Sequence, residues 1–443
     1  MPVSPARAAA FDILLRVERD VAYAAELLHS PAHESLSTPD HALATELVMG
    51  VLRWRSRLDD EISQASSQPL AKLDLEILLA LRLALYQFRW LDRVPRRAAL
   101  HESVELVKRA RKRSAAPFVN AVLRKLSTAP PREPSSENDP ESLAHAFAHP
   151  IWLIQRWTHE YGPAATRKIC EHNQSIPQTT IRLRAPIDES NLAAQGITLA
   201  PGALLSSARR VQSGDITQSR TTDFVIQDEA SQLVAALVGH GQNILDCCAA
   251  PGGKTLALAD HNPNSAITAV ELHPHRARLL QKLLLQHDPH SAARIRIVAA
   301  DAQHLPTSHP FHRVLADVPC SGTGTLARNP EIKWRLTPAD LTQLQARQHA
   351  ILRSALPQVA PAGRLIYSTC SLEKEENEDV IEHALSENPG FRLLDCRTEL
   401  ESLQAAGELT WPDPASLTRG PYLRTIPGIH PCDGFFAAIL KRI

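Results

Sequence analysis

From Phe224 onward five short apolar runs recur, Ile244-Leu245, Ile267-Thr268-Ala269-Val270, Ile295-Arg296-Ile297-Val298, Val314-Leu315-Ala316 and Arg364-Leu365-Ile366-Tyr367, with helical stretches between them. Strands of this kind alternating with helices predict a mostly parallel sheet with crossover helices, because parallel neighbours need a connection long enough to cross a face of the sheet. In such a sheet a ligand binds at the carboxyl ends of the strands, near the point where strand order reverses. The residues that follow each run are therefore the ones to read for chemistry.

The first run continues through Asp246-Cys247-Cys248-Ala249-Ala250-Pro251-Gly252-Gly253-Lys254 into Thr255-Leu256-Ala257-Leu258-Ala259, which reads as a strand, a glycine turn and a helix start. Gly252 and Gly253 allow close backbone approach to a nucleotide-like cofactor. Glu271 ends the second run, where a carboxylate accepts hydrogen bonds from ribose hydroxyls, and Asp301 follows the third, suited to an adenine edge. Taken singly, each is as well explained as a plain turn or a solvated strand end. In strand order they make a site.

Gly252-Gly253-Lys254-Thr255 also looks like the tail of a phosphate-binding loop, with Val314-Leu315-Ala316-Asp317 as its acidic strand. Spacing excludes it. The upstream position that such a loop fills with Gly holds Cys248, and Pro251 removes an amide donor. A nucleoside without a polyphosphate, as in S-adenosyl-L-methionine, is the expected cofactor.

Two cysteines stand in dense motifs of their own, Cys320 in Ala316-Asp317-Val318-Pro319-Cys320-Ser321-Gly322 and Cys370 in Tyr367-Ser368-Thr369-Cys370-Ser371-Leu372-Glu373. Thiolate is the strongest protein nucleophile near neutral pH, so two thiols beside a cofactor turn point to covalent chemistry on a second substrate. The seven cysteines lack the spacing of a disulfide framework, and no pair has the short spacing of a zinc site, so no metal is expected. Cys247 faces away from Cys248 on an extended strand and receives no chemical role; Cys170, Cys396 and Cys432 are read as structural.

The N-terminal part is helical in pattern, with Phe11, Leu14 and Leu15, then Leu75, Leu78, Leu79, Leu83 and Tyr86 at helical spacing. Breaks are expected at His29-Ser30-Pro31, Ser67-Gln68-Pro69, Val94-Pro95 and Ala116-Pro117. The division expected is an all-α bundle over 1–128, a proline-rich polar linker over 129–142, an α/β connecting subdomain over 143–223 and a Rossmann-like domain over 224–443. Within the last, Tyr422 to Ile426 and Phe435 to Leu440 are expected to pair. No uninterrupted apolar stretch suits a membrane, since Leu75 to Leu91 carries Glu76, Arg82 and Arg89. With no apolar leader core, the cytoplasm is the expected compartment, and a monomer the expected state.

Cys248 to Lys254, Asp317-Val318-Pro319-Cys320-Ser321-Gly322-Thr323-Gly324 and Thr369-Cys370-Ser371 together resemble the motifs of RNA cytosine-C5 methyltransferases of the Sun family. Arg328-Asn329-Pro330-Glu331-Ile332-Lys333-Trp334, Glu375-Glu376-Asn377-Glu378, Pro427-Gly428 and Asp433-Gly434-Phe435-Phe436 extend the likeness over the catalytic half. The N-terminal bundle resembles the RNA-binding NusB fold through Ala8 to Leu14, Glu46 to Arg53 and Phe118 to Arg124. A NusB-like domain fused to a Sun-type domain is similar to bacterial enzymes that methylate small-subunit (16S) ribosomal RNA. Glu271 departs from the family, which more often carries Asp there.

The resemblance implies a division of labour. Carbon 5 of cytosine is too weak a nucleophile until a group adds at carbon 6; Cys370 is that group, and Cys320 belongs to release of the product. Asp317 serves as acid or hydrogen-bond partner at the base edge, and Lys254 helps hold the base. Cofactor contacts are assigned to Cys248, Ala249, Ala250, Pro251, Gly252, Gly253, Lys254, Glu271, Asp301 and Asp317. A target base has to leave any helical stack, so a loop, bulge or opened helix is the expected RNA.

Charge balances at 48 basic and 48 acidic residues, so RNA has to be held by local patches. Arg93, Arg96, Arg97, Lys108, Arg109, Arg111, Lys112 and Arg113 form one, against Glu102 and Glu105; a solvated helix face is its plainer explanation. Arg328, Lys333 and Arg335 are candidates for contacts nearer the active site. Two other functions stand against the enzyme reading: a non-catalytic RNA-binding or assembly factor, disfavoured by the presence of both cysteines, and DNA cytosine methylation, disfavoured by Cys370 and the NusB-like bundle.

Overall fold

The computed structural model describes residues 3–130, 139–184, 189–219, 224–287, 289–306 and 310–443. The chain forms two compact units, one of Met1–Ile176 with Leu326–Arg335 and one of Pro177–Thr325 with Leu336–Ile443. Residues 143–176 thus lie in the first unit and the rest of the expected connecting stretch in the second. Of the expected linker, 131–138 lie outside the described residues.

The first unit is all helical. Its longer helices are Pro5–Arg19, Thr38–Arg53, Arg55–Ala65, Leu75–Trp90, Arg96–Arg109, Ala116–Thr128, Ile151–Tyr161 and Pro163–Gln174. Three of the expected breaks fall between helices, whereas Ala116-Pro117 starts one, since proline lacks only an N–H that a first turn leaves unpaired anyway. The chain also turns at Trp54, φ −100° and ψ 13°, where no Gly or Pro signals it. Gly50 is required by packing: a Cβ there would lie 2.0 Å from the Tyr86 ring. The core gathers Leu14, Leu47, Leu58, Leu79, Leu83 and Leu123. No helix among the described residues is long and apolar enough to cross a membrane.

Leu326–Arg335 completes this unit by satisfying carbonyls that helix ends leave without partners. Trp334 Nε1 donates to Leu52 O at 2.6 Å and Lys333 Nζ to Arg53 O at 3.0 Å, both in the last turn of Thr38–Arg53. Arg335 donates to Val17 O and Ala22 O, each at 2.6 Å, while Glu331 accepts from Ala24 N at 2.8 Å. The expectation that Lys333 and Arg335 touch RNA is therefore corrected. Lys333 is 1% exposed, and Arg335 is spent on backbone carbonyls.

The second unit holds two sheets. Strands β1 (Thr180–Leu183), β2 (Thr198–Pro201), β3 (Ala208–Ser213) and β4 (Phe224–Ile226) form an antiparallel sheet in the order β2-β3-β1-β4 over Ile181, Leu192, Ile197 and Phe224. The larger sheet contains β5 (Asn243–Asp246), β6 (Ala266–Glu271), β7 (Ile295–Ala299), β8 (Phe311–Asp317), β9 (Val359–Thr369), β10 (Phe391–Leu394), β11 (Thr418–Arg419), β12 (Tyr422–Arg424) and β13 (Phe436–Arg442). Its order is β11-β12-β13-β9-β8-β5-β6-β7, with β10 on β13. β5 to β9 pair in parallel, as the five apolar runs predict, and everything attached through β13 is antiparallel. The expected C-terminal pair is present, with Leu423 opposite Ala437 and Arg424 opposite Phe436. Strand order reverses at β5, which has β6 on one side and β8 on the other. That reversal is where an open sheet accepts a ligand.

Candidate active site

At the end of β5 the turn is built around a buried carboxylate. Asp246 Oδ2 accepts from Thr255 Oγ1 at 2.7 Å, tying the strand to helix Gly253–His261. Burial pushes the Asp246 carboxyl up to about 6, against the pull of the Thr255 hydrogen bond. Gly252 adopts φ +118°, and a Cβ on it would sit 2.6 Å from Leu280 Cδ1. Glycine is needed here for both conformation and space. Ala249 N donates to Val270 O at 2.9 Å, which lays the turn against the end of β6.

Glu271 ends β6 with 5% exposure, and its Oε1 accepts from His273 N at 3.0 Å. Asp301 follows β7; its Oδ1 accepts from Gln303 N at 2.9 Å, and that bond holds the carboxyl below its usual range. Gln227 lies beside Gly253, where a Cβ would be 3.6 Å from its amide. Its Nε2 donates to Ser231 Oγ at 3.0 Å, while its buried Oε1 has no partner among the described residues. Sequence reasoning gave Gln227 no part, since nothing in its local pattern sets it apart.

Neighbouring strands bring the reactive groups together. β5, β8 and β9 lie side by side, so the turn with Lys254, the end of β8 with Asp317 and the end of β9 with Ser368 share one edge. Lys254 Nζ is 2.7 Å from Asp317 Oδ2, and Ser368 Oγ donates to Asp317 Oδ1 at 2.7 Å. Both carboxylate oxygens thus face donors. Burial pulls the Lys254 pKa down, the Asp317 carboxylate pulls it up, and the net is a rise. The ammonium also sits 5.0 Å from the centre of the Phe435 ring.

The two motif cysteines, distant in sequence, meet with Sγ atoms 3.3 Å apart. Each is partly buried and free of any disulfide. The hydrogen bond with Cys370, then burial, raises the Cys320 thiol well above its usual range. Cys247 and Cys248 are also pushed up, chiefly by burial, and Cys170, Cys396 and Cys432 are buried. No group of three or more His, Cys, Asp or Glu side chains placed to hold a metal occurs among the described residues.

Residues 235–441 match the family model described as 16S rRNA methyltransferase RsmB/F, and residues 4–128 match that of the NusB family. A protein of Bacillus subtilis named probable ribosomal RNA small subunit methyltransferase B is 32% identical, over 100% of both chains. One of the same name from Synechocystis is 34% identical over 99% of both. Among solved structures, the crystal structure of PH0851 superimposes with a TM-score of 0.81 at 23% identity over 100% of both chains. A methyltransferase homolog protein from Pyrococcus horikoshii gives 0.56 at 24% identity, over 69% of this chain and 99% of that one. The structural likenesses establish the fold.

Proposed function

This chain belongs to the 16S rRNA methyltransferase RsmB/F family, and we propose that it methylates carbon 5 of a cytosine in small-subunit ribosomal RNA, with S-adenosyl-L-methionine as donor, through a covalent bond between Cys370 and carbon 6. The observation that carries this reading is the 3.3 Å pair of Cys320 and Cys370 Sγ atoms, in the loops that follow β8 and β9, beside the Lys254–Asp317 ion pair at the end of β8.

The residues at the ends of β5 to β7 fit the donor. Glu271 keeps one oxygen engaged by His273 N, leaving the other for ribose hydroxyls, and Asp301 suits the adenine edge. Cys248 to Gly253 offers turn backbone at a helix start, and Gln227 Oε1 is a buried acceptor waiting for a donor. When bound, S-adenosyl-L-methionine supplies an electrophilic methyl group to carbon 5 of the activated ring.

The thiolate of Cys370 attacks carbon 6, forming a C–S bond and moving negative charge toward ring nitrogen 3 and the carbonyl oxygen. Lys254, charged beside Asp317, is the donor suited to that edge; Asp317 acts by keeping the lysine charged and in place. Release requires loss of the carbon-5 proton and return of the C–S electron pair to Cys370. Cys320 is the base. Its own proton is held chiefly by the hydrogen bond with Cys370; bonding of Cys370 to carbon removes that restraint, the proton passes to solvent, and the Cys320 thiolate then takes the carbon-5 proton.

The helical bundle over 1–128 is assigned to RNA. Within its basic patch Lys108 pairs with Glu105, Arg109 with Asp12 and Lys112 with Asp74, while Arg96 donates to Ser127 O. Arg93, Arg97, Arg111 and Arg113 are exposed and lack an acidic partner among the described residues, so they are the ones available to phosphate. The test is methyl transfer from labelled S-adenosyl-L-methionine to small-subunit RNA from cells lacking this protein, followed by nucleoside analysis. Label in 5-methylcytosine at one position is expected; label in another base or at another ring atom contradicts the reading.

A further inference from the structure

We propose that Glu376 is a positioning residue that sets the separation of Cys320 and Cys370 and so governs release; this rests on the division of roles between the two thiols given above. Glu376 is fully buried, a costly place for a carboxylate unless hydrogen bonds replace its water. Its Oε1 accepts from Ser321 N at 2.8 Å and from Gln348 Nε2 at 2.9 Å. Its Oε2 accepts from the hydroxyls of both Ser321 and Ser371, which lie 3.0 Å from each other.

Those serines are the residues directly after Cys320 and Cys370. One carboxylate therefore clamps the two thiol loops together, each at the position next to its sulfur. Gln348, in helix Pro338–Ala355, extends the clamp to the other side of Cys320 by donating to Pro319 O at 3.0 Å. The backbone of Glu376 is fixed in turn, since Tyr367 OH donates to its carbonyl at 2.6 Å. An apolar residue would fill the space without the desolvation cost, yet no apolar group could hold two loops in register through four donors. A second staple, Gly324 N to Cys370 O at 2.9 Å, does not involve Glu376 and remains in its variants.

The experiment uses the full chain with Glu376→Ala and Glu376→Gln, and phenylarsine oxide as a probe of thiol separation. The arsenical condenses with two close thiols, forming two As–S bonds while its oxygen leaves with both thiol protons as water. Capture is read by intact mass, and Cys320→Ser sets the background. Glu376→Ala is expected to slow capture and lower kcat by about 10- to 100-fold, as a displacement near 1 Å does, with KM for RNA within about twofold. It is also expected to accumulate the covalent RNA adduct, as Cys320→Ser does. Glu376→Gln, which keeps the shape and one acceptor oxygen, is expected to restore most of both. Wild-type capture and turnover in Glu376→Ala would overturn the proposal. Should that variant fail to fold, Ser321→Ala carries the test, because it removes one donor and keeps the Ser321 N–H bond; unchanged capture and adduct level there are equally fatal. If Cys370→Ala still methylates carbon 5, the thiol roles themselves are wrong, whatever Glu376 does.

Discussion

Lys254 Nζ lies 2.7 Å from Asp317 Oδ2, and that contact holds the lysine charged against its own burial. Burial alone would lower the Lys254 pKa; with Asp317 beside it the net is a rise, so the ammonium persists through neutral and mildly alkaline pH. Asp317→Asn removes the main opposition to burial and leaves only the weaker pulls of Cys370 and Asp246. Its kcat is expected to fall by about 100-fold or more at pH 7, and its remaining activity to decline at a lower pH than that of wild type. A pH–kcat profile of both proteins checks this; an unshifted alkaline limb means Lys254 is not the donor.

The Cys320 thiol owes its raised pKa first to Cys370 and only then to burial. Cys370→Ala is therefore expected to make Cys320 ionise at lower pH. Alkylation of Cys320 by iodoacetamide, followed by mass spectrometry across a pH series, measures the shift. An unchanged or higher midpoint in the variant would show that Cys370 does not restrain Cys320.

Asp246 predicts a pH effect on stability rather than chemistry. Its folded carboxyl is pushed up to about 6, above the unfolded value, so the native state binds more protons between the two. Stability that is present below the unfolded pKa falls as pH rises through about 6, by a few kcal/mol at most. Asp246→Asn, which keeps an acceptor for Thr255, is expected to flatten that loss. Thermal unfolding of both proteins between about pH 4 and 7 tests it; parallel curves contradict it.

Gly252→Ala places a side chain at φ +118° and against Leu280. A loss of about 1–3 kcal/mol in stability is expected, with weaker binding of S-adenosyl-L-methionine because the turn has to shift. Calorimetric titration of the donor against both proteins reads the second effect directly; equal affinities would mean that the turn does not touch it.

Neutralising Arg93, Arg97, Arg111 and Arg113 is expected to weaken RNA binding and reduce its dependence on salt, by about one unit of slope per lost phosphate contact. Binding measured at several salt concentrations distinguishes this from a fold defect. An unchanged slope assigns the patch to solvent.

The parallel strands and the groups at their ends were legible because the β5 to β9 runs are apolar and the motifs follow them directly. Cys320 and Cys370 were recognisable from their own surroundings. Their 3.3 Å meeting follows from β8 and β9 being neighbours, a fact about strand order that local pattern does not carry. Glu376 sat in a motif, but its partners Ser321 and Gln348 come from other elements, and burial of a carboxylate is not a sequence signal. Lys333 misled for the same reason. Basic in composition, it is consumed by a helix-end carbonyl, Arg53 O, in the first unit.

The most direct test is a denaturing gel of protein mixed with labelled small-subunit RNA and S-adenosyl-L-methionine, comparing wild type, Cys320→Ser and Cys370→Ala. The account predicts a stable protein–RNA adduct with Cys320→Ser and neither adduct nor 5-methylcytosine with Cys370→Ala. Methylation of carbon 5 by Cys370→Ala would contradict it.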